Sequence, residues 1–312
     1  MRAAPTPRSG ISRTASCSSC STNRSPPGPP RKAPTAHVDL HCHSTASDGQ
    51  ASPDAVVRRA NAVGLAAIAL TDHDTLAGIP GAQATGQDVG VKVVPGCEFS
   101  VRAPWGEMHL LAYFLPVGDR ALEEFLAGAR AARERRGAQM VEKLQRLGVE
   151  IDLEDLAYQA GAGSLGRPHV ARALIDAGVV DDFEQAFDRF LGRGRPAFVE
   201  KALPTLREVA DLVHQSGGLV LAAHLGERGQ EPQLKALQAD GLDGVEVRHP
   251  SHARHVETRL MKLARKLDLA VSGGSDWHGE GDTGTTHALL GGMEVPVEWL
   301  EALETRKANT YG

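Results

Sequence analysis

The chain has 312 residues and 33.1 kDa, 41% of them apolar and 23% charged, enough for one large α/β domain or two small ones. Its formal charge is −5, but the first 35 residues hold six bases and no acid, so residue 36 onward carries net −11, too acidic to grip duplex DNA through a broad positive face. No apolar run approaches the ~20 residues that span a bilayer, and four cysteines make no disulfide framework, so a reduced cytoplasmic protein is expected, with no membrane and no obligate protein partner in evidence.

Residues 1–35 are rich in Ser, Pro and Arg, lack hydrophobic periodicity and are expected to be disordered. Cys17 and Cys20 lie there without a second half-site, and the pair reads as chance. From residue 36, short apolar runs alternate with amphipathic helices. The runs His37–Leu40, Ala66–Leu70, Val91–Val94, Leu219–Ala223, Gly244–Val247 and Leu269–Ser272 read as strands, several of them buried on both faces as in parallel sheets. Ser52–Val63, Leu206–Gln215 and Arg254–Leu267 read as the helices between them. The rhythm breaks over residues 119–190, where Ala121–Leu147, Leu153–Ala160, His169–Asp176 and Asp181–Leu191 read as successive helices, punctuated by the loop 161–168 (GAGSLGRP). The expected organisation is a leader (1–35), the first half of an α/β barrel (36–118), a helical insertion (119–203) and the second half of the barrel (204–312).

Nearly every strand runs into acids and imidazoles. The first leads into Asp39-Leu-His41-Cys-His43 with Asp48 beyond, the second into Thr71-Asp72-His73-Asp74, and the third into Pro95-Gly-Cys-Glu98. The run at 219–223 ends in His224, the next reaches His249, and the last opens into Asp276-Trp-His278. Carboxyl ends of barrel strands meet on one face, so these groups are expected to share a site. Clustered carboxylates repel and clustered neutral imidazoles lack partners, and divalent cations remove both penalties; mixed sets of this kind suit Mn²⁺, Zn²⁺ or Fe²⁺. The period-two spacing of His41 and His43 aims both rings to one side of an extended strand. A carboxylate such as Glu98 can bridge two ions, and a pair ~3.5–4 Å apart can hold a hydroxide and clamp an in-line displacement at phosphorus.

The segments HVDLHCHSTASDG, LTDHD, PGCEFS, Glu107-Met-His109, LAAHLG and SGGSDWH, spread from residue 37 to about 280, resemble the motifs of the PHP (polymerase and histidinol phosphatase) superfamily. The resemblance implies a distorted seven-stranded β/α barrel of TIM-like type with three divalent ions, Mn²⁺ favoured. It also implies one ion on His41, His43, Glu98 and Asp276, a second on Glu98, His109 and His224, and a third on Asp48, His73 and His278. Asp39 matches a position that orients a ligand imidazole. The helical insertion, GRPHVARAL and FLGRGRPAFV look most like a branch of nucleoside 3′,5′-bisphosphate phosphatases and 5′→3′ exoribonucleases of short RNA. That branch implies removal of a 3′-phosphate from pAp-type molecules, or release of 5′-mononucleotides, through a hydroxide bridging the ions.

A phosphate ester needs donors beyond the metals. Arg167 and His169 at the start of a helix, and Arg193 and Arg195 in a Gly/Pro-framed turn, are the candidates; the alternative is a solvated basic loop. Phe198 either stacks a base or packs a core. Arg130–Arg136 (RAARERR) reads as a solvated helix face. His249 and His252 are candidates to protonate the leaving oxygen, His214 reads as structural, and His255 and His287 carry no motif context. Cys42 and Cys97 are expected to pack. Three rival readings stand beside the phosphoesterase: an amidohydrolase-type enzyme, which leaves Asp48, His73 and His278 without work, a histidinol-phosphate-like phosphatase, and a degenerate metal- or nucleotide-binding module.

Overall fold

Valine, isoleucine, leucine and alanine buried on both faces build a barrel of short strands, and helices cover its outside. The computed structural model describes residues 37–153, 156, 166–281 and 286–311, with the side chain of Pro168 set aside. The leader with Cys17 and Cys20, most of the helix expected over 153–160 and loop residues 161–165 lie outside the described residues. The strands are β1 (His37–Cys42), β2 (Ala67–Leu70), β3 (Lys92–Ala103), β4 (Gly106–Tyr113), β5 (Leu219–Ala222), β6 (Gly244–Arg248), β7 (Ala270–Gly273) and β8 (Val295–Pro296). The helices are α1 (Pro53–Val63), α2 (Ile79–Val89), α3 (Arg120–Arg146), α4 (Arg167–Asp176), α5 (Phe183–Ala186), α6 (Leu206–Gln215), α7 (Glu231–Ala239), α8 (Arg254–Leu267) and α9 (Val297–Tyr311). A π-helical turn, Phe187–Leu191, continues α5.

The sheet order is β7-β6-β5-β4-β3-β2-β1-β8. Eight strands replace the seven expected, and they are not all parallel. β4 runs antiparallel to both β3 and β5, and β8 antiparallel to β1. The extra long strand is the return arm of a hairpin: Ala103 pairs with Gly106 across a two-residue turn, and Ser100 pairs with His109. Its sequence, GEMHLLAY, opens with polar residues that break the apolar run a reader looks for.

Two backbone hydrogen bonds link β1 to the chain that follows β7, Asp276 N–H to His41 O (2.9 Å) and His43 N–H to Trp277 O (2.9 Å). β8 pairs with the opposite end of β1. Gly274 permits this approach, since a Cβ there would sit 2.4 Å from the His41 backbone nitrogen. The β1–β2 register shifts between Asp39 and Cys42, a bulge of the kind that re-aims side chains at a barrel rim.

Alternation along the strands separates two apolar layers. Val38, Leu40, Ala67, Ala69, Leu111, Leu219 and Leu221 form one cluster, and Ile68, Leu70, Leu110, Ala112, Val220 and Ala222 join the larger one shared with α1, α2, α6 and α8. A third cluster, with Met140, Val141, Leu144, Val170 and Leu174, holds α3 against α4. Cys42 and Cys97 are buried, and the Cys42 thiol donates to Ala69 O (3.2 Å). Among the described residues, no helix is long and apolar enough to cross a membrane.

Candidate metal centre and its cavities

At the rim where β1, β2, β3 and β5 end, one carboxylate gathers five imidazoles. Glu98 Oε2 lies 3.2 Å from His41 Nε2, 3.2 Å from His43 Nε2 and 3.4 Å from His73 Nδ1. Its Oε1 lies 2.9 Å from His109 Nδ1 and 3.2 Å from His224 Nε2. Asp276 Oδ1 stands 3.2 Å from both His41 Nε2 and His43 Nε2, and Asp48 stands 3.4 Å from His278 Nε2 and 3.6 Å from His73 Nε2. The nine sequence candidates, His41, His43, Asp48, His73, Glu98, His109, His224, Asp276 and His278, are therefore brought together. Donor atoms within 4.8 Å of one another form the sets His43–Asp48–His73–His278, His41–His43–Glu98–Asp276 and His73–Glu98–His109.

These residues fit divalent ions on an observation of their own. Both ring nitrogens of His43, and Nδ1 of His73, are buried without an aligned hydrogen-bond partner, although carboxylate oxygens surround them. Buried imidazole nitrogens are rarely left so, and a cation between the rings and the acids satisfies both. Two of the nine candidates are also strained: His224 and Asp276 adopt left-handed backbone (φ 28° and 51°), which persists only where surrounding contacts enforce it.

Burial works against charge on these groups, yet their neighbours overcome it. It would lower His43, but the Asp276 and Glu98 carboxylates raise it to about 10; Glu98 and Glu107 likewise raise His109 to about 9 against burial. Burial would raise Asp48, Glu98 and Asp276, and the facing imidazoles hold all three well below the usual carboxylate range. His73 goes the other way, since burial pushes it down to about 3.

The group that orients a candidate ligand ring is not the expected one. Asp39 accepts three backbone N–H groups, from His41 (3.3 Å), Ser275 (3.0 Å) and Gly291 (2.8 Å), and so ties strand ends together instead of an imidazole. Glu246 on β6 takes the other task. Its Oε1 receives His41 Nδ1–H (2.9 Å), leaving Nε2 for the cluster, and its Oε2 receives the His224 backbone N–H (2.8 Å). An acid in the middle of the apolar run GVEVR is the signal that marked it, because a buried carboxylate demands a partner. His287, without motif context, also reaches the site: its Nε2 lies 3.6 Å from Asp276 Oδ2 and its ring stacks on His278 at 4.4 Å.

The two catalytic candidates part company. His249 Nδ1 accepts the Ser251 N–H (3.1 Å), which assigns the ring proton to Nε2, 3.4 Å from Asp276 Oδ2. His252 instead donates from Nδ1 to Val247 O (2.9 Å) and accepts the Gly226 N–H at Nε2 (3.0 Å). With both nitrogens engaged by backbone, His252 braces the loops after β5 and β6 and has no proton to offer a substrate. His214 pairs with Asp243 (2.8 Å), in line with its structural reading.

A cavity of about 310 Å³ opens beside the cluster, lined by Arg133, Arg136, Arg167 and Lys201 together with Asp48, His73, His109 and His224. The expectation of a solvated face at Arg130–Arg136 is corrected here: Arg136 is 8% exposed and donates to Val199 O (2.9 Å), while Arg133 pairs with Asp74 Oδ2 (2.5 Å) and Arg130 donates to Asp74 O (2.9 Å). Burial and then the neighbouring Arg167 lower Arg136 to about 10, the mark of cations crowded with few anions. Glu107 answers part of the charge through Lys201 (2.7 Å) and Arg167 (3.5 Å). His169 caps α4, its Nδ1 accepting the Gly166 N–H (3.1 Å). Arg193 and Phe198 line an adjoining outer cavity with Arg136, Arg167 and Lys201, whereas Arg195 is exposed on the turn beyond.

Comparison with known proteins follows the same lines. The PHP domain family model matches residues 39–152. A 5′-3′ exoribonuclease of Haemophilus influenzae is 33% identical over 249 residues, covering 78% of this chain and 90% of that one. A 3′,5′-nucleoside bisphosphate phosphatase of Chromobacterium violaceum is 32% identical over 257 residues, covering 80% and 90%. A Bifidobacterium adolescentis structure assigned as a metal-dependent phosphoesterase superposes with a TM-score of 0.78 at 33% identity, covering 86% of this chain and 96% of that one.

Two outcomes test the centre. Imidazoles raised to about 9 and about 10 are protonated at pH 7, and a ligand ring must be neutral, so Mn²⁺ uptake by chelator-treated protein should release protons and tighten as pH rises from 7 to 9. Calorimetry in buffers of different ionisation enthalpy measures this, and a pH-independent affinity would contradict it. Glu246→Gln should weaken Mn²⁺ binding about 10- to 100-fold by losing the hold on His41; an unchanged titration would remove Glu246 from that role.

Proposed function

The chain belongs to the PHP domain family, and from that premise we propose that it is a metal-dependent phosphoesterase that breaks the O3′–P bond of nucleoside 3′,5′-bisphosphates and of short 5′-phosphorylated RNA. The observation that carries this reading is the cationic cavity of Arg133, Arg136, Arg167 and Lys201, which shares Asp48, His73, His109 and His224 with the ligand cluster. A substrate with one phosphate at the cluster and a second on the same nucleoside answers both. The amidohydrolase reading leaves that cavity unexplained, and it leaves Asp48, His73 and His278 idle although they form a ligand set with His43.

In this reading His41, His43, Glu98 and Asp276 hold one ion, Glu98, His109 and His224 a second, and Asp48, His73 and His278 a third. This mixture of imidazole and carboxylate suits manganese, zinc or iron(II), and the family resemblance favours manganese. Bound there, the ions supply positive charge for the phosphoryl oxygens and activate a water. Glu246 keeps His41 Nε2 turned to the cluster, and Asp39 holds the strand ends that carry His41 and Asp276. Arg136, fixed through its Nε, and Lys201 bind the 5′-phosphate, with Arg133 and Arg167 beside them. Arg193 serves the outer rim; Arg195 and His169 have at most an indirect part. His249 is our candidate for giving its Nε2 proton to the departing O3′.

Water oxygen ends on phosphorus, the O3′–P bond breaks, and O3′ takes a proton. A bisphosphate yields inorganic phosphate and a nucleoside 5′-phosphate; RNA yields the same mononucleotide and a chain one residue shorter. Residues 119–203, as a lobe set between the two halves of the barrel, contribute most of the cations. The cytoplasm, where such substrates arise, is the expected compartment.

Mn²⁺-loaded protein should release phosphate from pAp and mononucleotides from short 5′-phosphorylated RNA; no turnover of either would refute the reading. Lys201→Gln should raise KM for pAp roughly 10- to 100-fold, the worth of a charged hydrogen bond, and leave adenosine 3′-phosphate almost untouched. Equal effects on both substrates would contradict the 5′-phosphate assignment.

A further inference from the structure

The cluster opens into a second cavity whose lining differs from the first. It has a volume of about 790 Å³ against about 310 Å³, shares Asp48, His73, His109 and His224 with its neighbour, and is bounded further out by Arg172, Phe183, Ser251 and Thr286. None of the cations of the first cavity, Arg133, Arg136, Arg167, Lys201 and Arg228, lines it. Phe183 opens α5 and is 38% exposed, the one carbocyclic aromatic ring among the described residues that line this space. The Arg172 guanidinium, from α4, stands 5.0 Å from the centre of that ring. An exposed phenyl ring backed by an arginine, with two hydroxyls nearby, has the chemistry of a nucleobase platform.

We propose that the Phe183–Arg172 ledge binds the nucleoside on the far side of the scissile phosphate, so that the second cavity recognises RNA one residue longer than a bisphosphate. This rests on the phosphoesterase reading above. With a terminal 5′-phosphate among Arg133, Arg136, Arg167 and Lys201 and the scissile phosphate at the cluster, a bisphosphate has nothing left to occupy the second cavity. An oligonucleotide has a further ribose and base there. The base stacks on Phe183, and the charge of Arg172 lies beside the path of the next backbone phosphate. Stacking is sequence-tolerant because every base has a π-face, so the ledge selects for length and not for sequence.

The test compares pAp with the 5′-phosphorylated dinucleotide pApA and with the same dinucleotide carrying an abasic second residue, all on Mn²⁺-loaded protein. Phe183→Ala should raise KM for pApA roughly 5- to 100-fold, leave pAp and the abasic substrate unchanged, and be rescued by Phe183→Tyr. The abasic substrate should bind wild type about as poorly as pApA binds Phe183→Ala. Phe183 stands at the surface, and equal melting temperatures for the variants exclude a folding defect. If wild type cleaves pAp and pApA, and Phe183→Ala cleaves both as well as wild type or is impaired on both alike, the ledge is wrong and the phosphoesterase reading stands. Cleavage of neither substrate by wild type overturns both.

Discussion

Burying Glu98 is the constraint around which the rest of the molecule is arranged. The carboxylate is 1% exposed and has imidazoles on both oxygens, three on Oε2 and two on Oε1. A lone acid in that position would cost several kcal/mol, and the rings that compensate it are themselves buried. Five segments far apart in sequence must therefore end at one place, which a barrel of short strands achieves and an open sheet does not. The hydrogen bonds from Asp276 to His41 and from His43 to Trp277 close that barrel at the level of the ligands, so closure and site formation are the same event.

Around this rim the donor and cationic groups divide by element. The barrel supplies imidazole and carboxylate donors, and α3, α4 and the chain before α6 supply Arg133, Arg136, Arg167 and Lys201. Lys201 and Arg136 are each held by one fixed partner, Lys201 by the Glu107 carboxylate and Arg136 by the Val199 carbonyl. Glu107 belongs to both worlds, since it faces Lys201 and also stands 3.6 Å from His109.

The strand ends were legible because chemistry and pattern agreed there. His41-x-His43, Glu98, His224 and Asp276-x-His278 each follow an apolar run, and the register of the fold brings them together. The return arm β4 was hidden because Glu107 and His109, which serve the site, interrupt its apolar pattern. α2 and α7 begin at or beside proline and carry modest amphipathic signatures, IPGAQATGQDV and EPQLKALQA, that compete poorly with loop readings. The arginines of α3 were legible as a helix but not as a lining. Their spacing covers the whole helix surface, so only the packing of α3 over the rim decides which of them turn inward. Glu246 could have been found, since an acid inside a buried strand needs a partner, whereas His287 gave no sequence signal at all.

Anomalous diffraction at the manganese edge, from crystals grown with Mn²⁺, tests the central claim most directly. The account predicts peaks on both sides of Glu98, within coordination distance of its two carboxylate oxygens and of the imidazoles that face them. A map with no peak at Glu98, or with manganese bound only at surface acids, would contradict it.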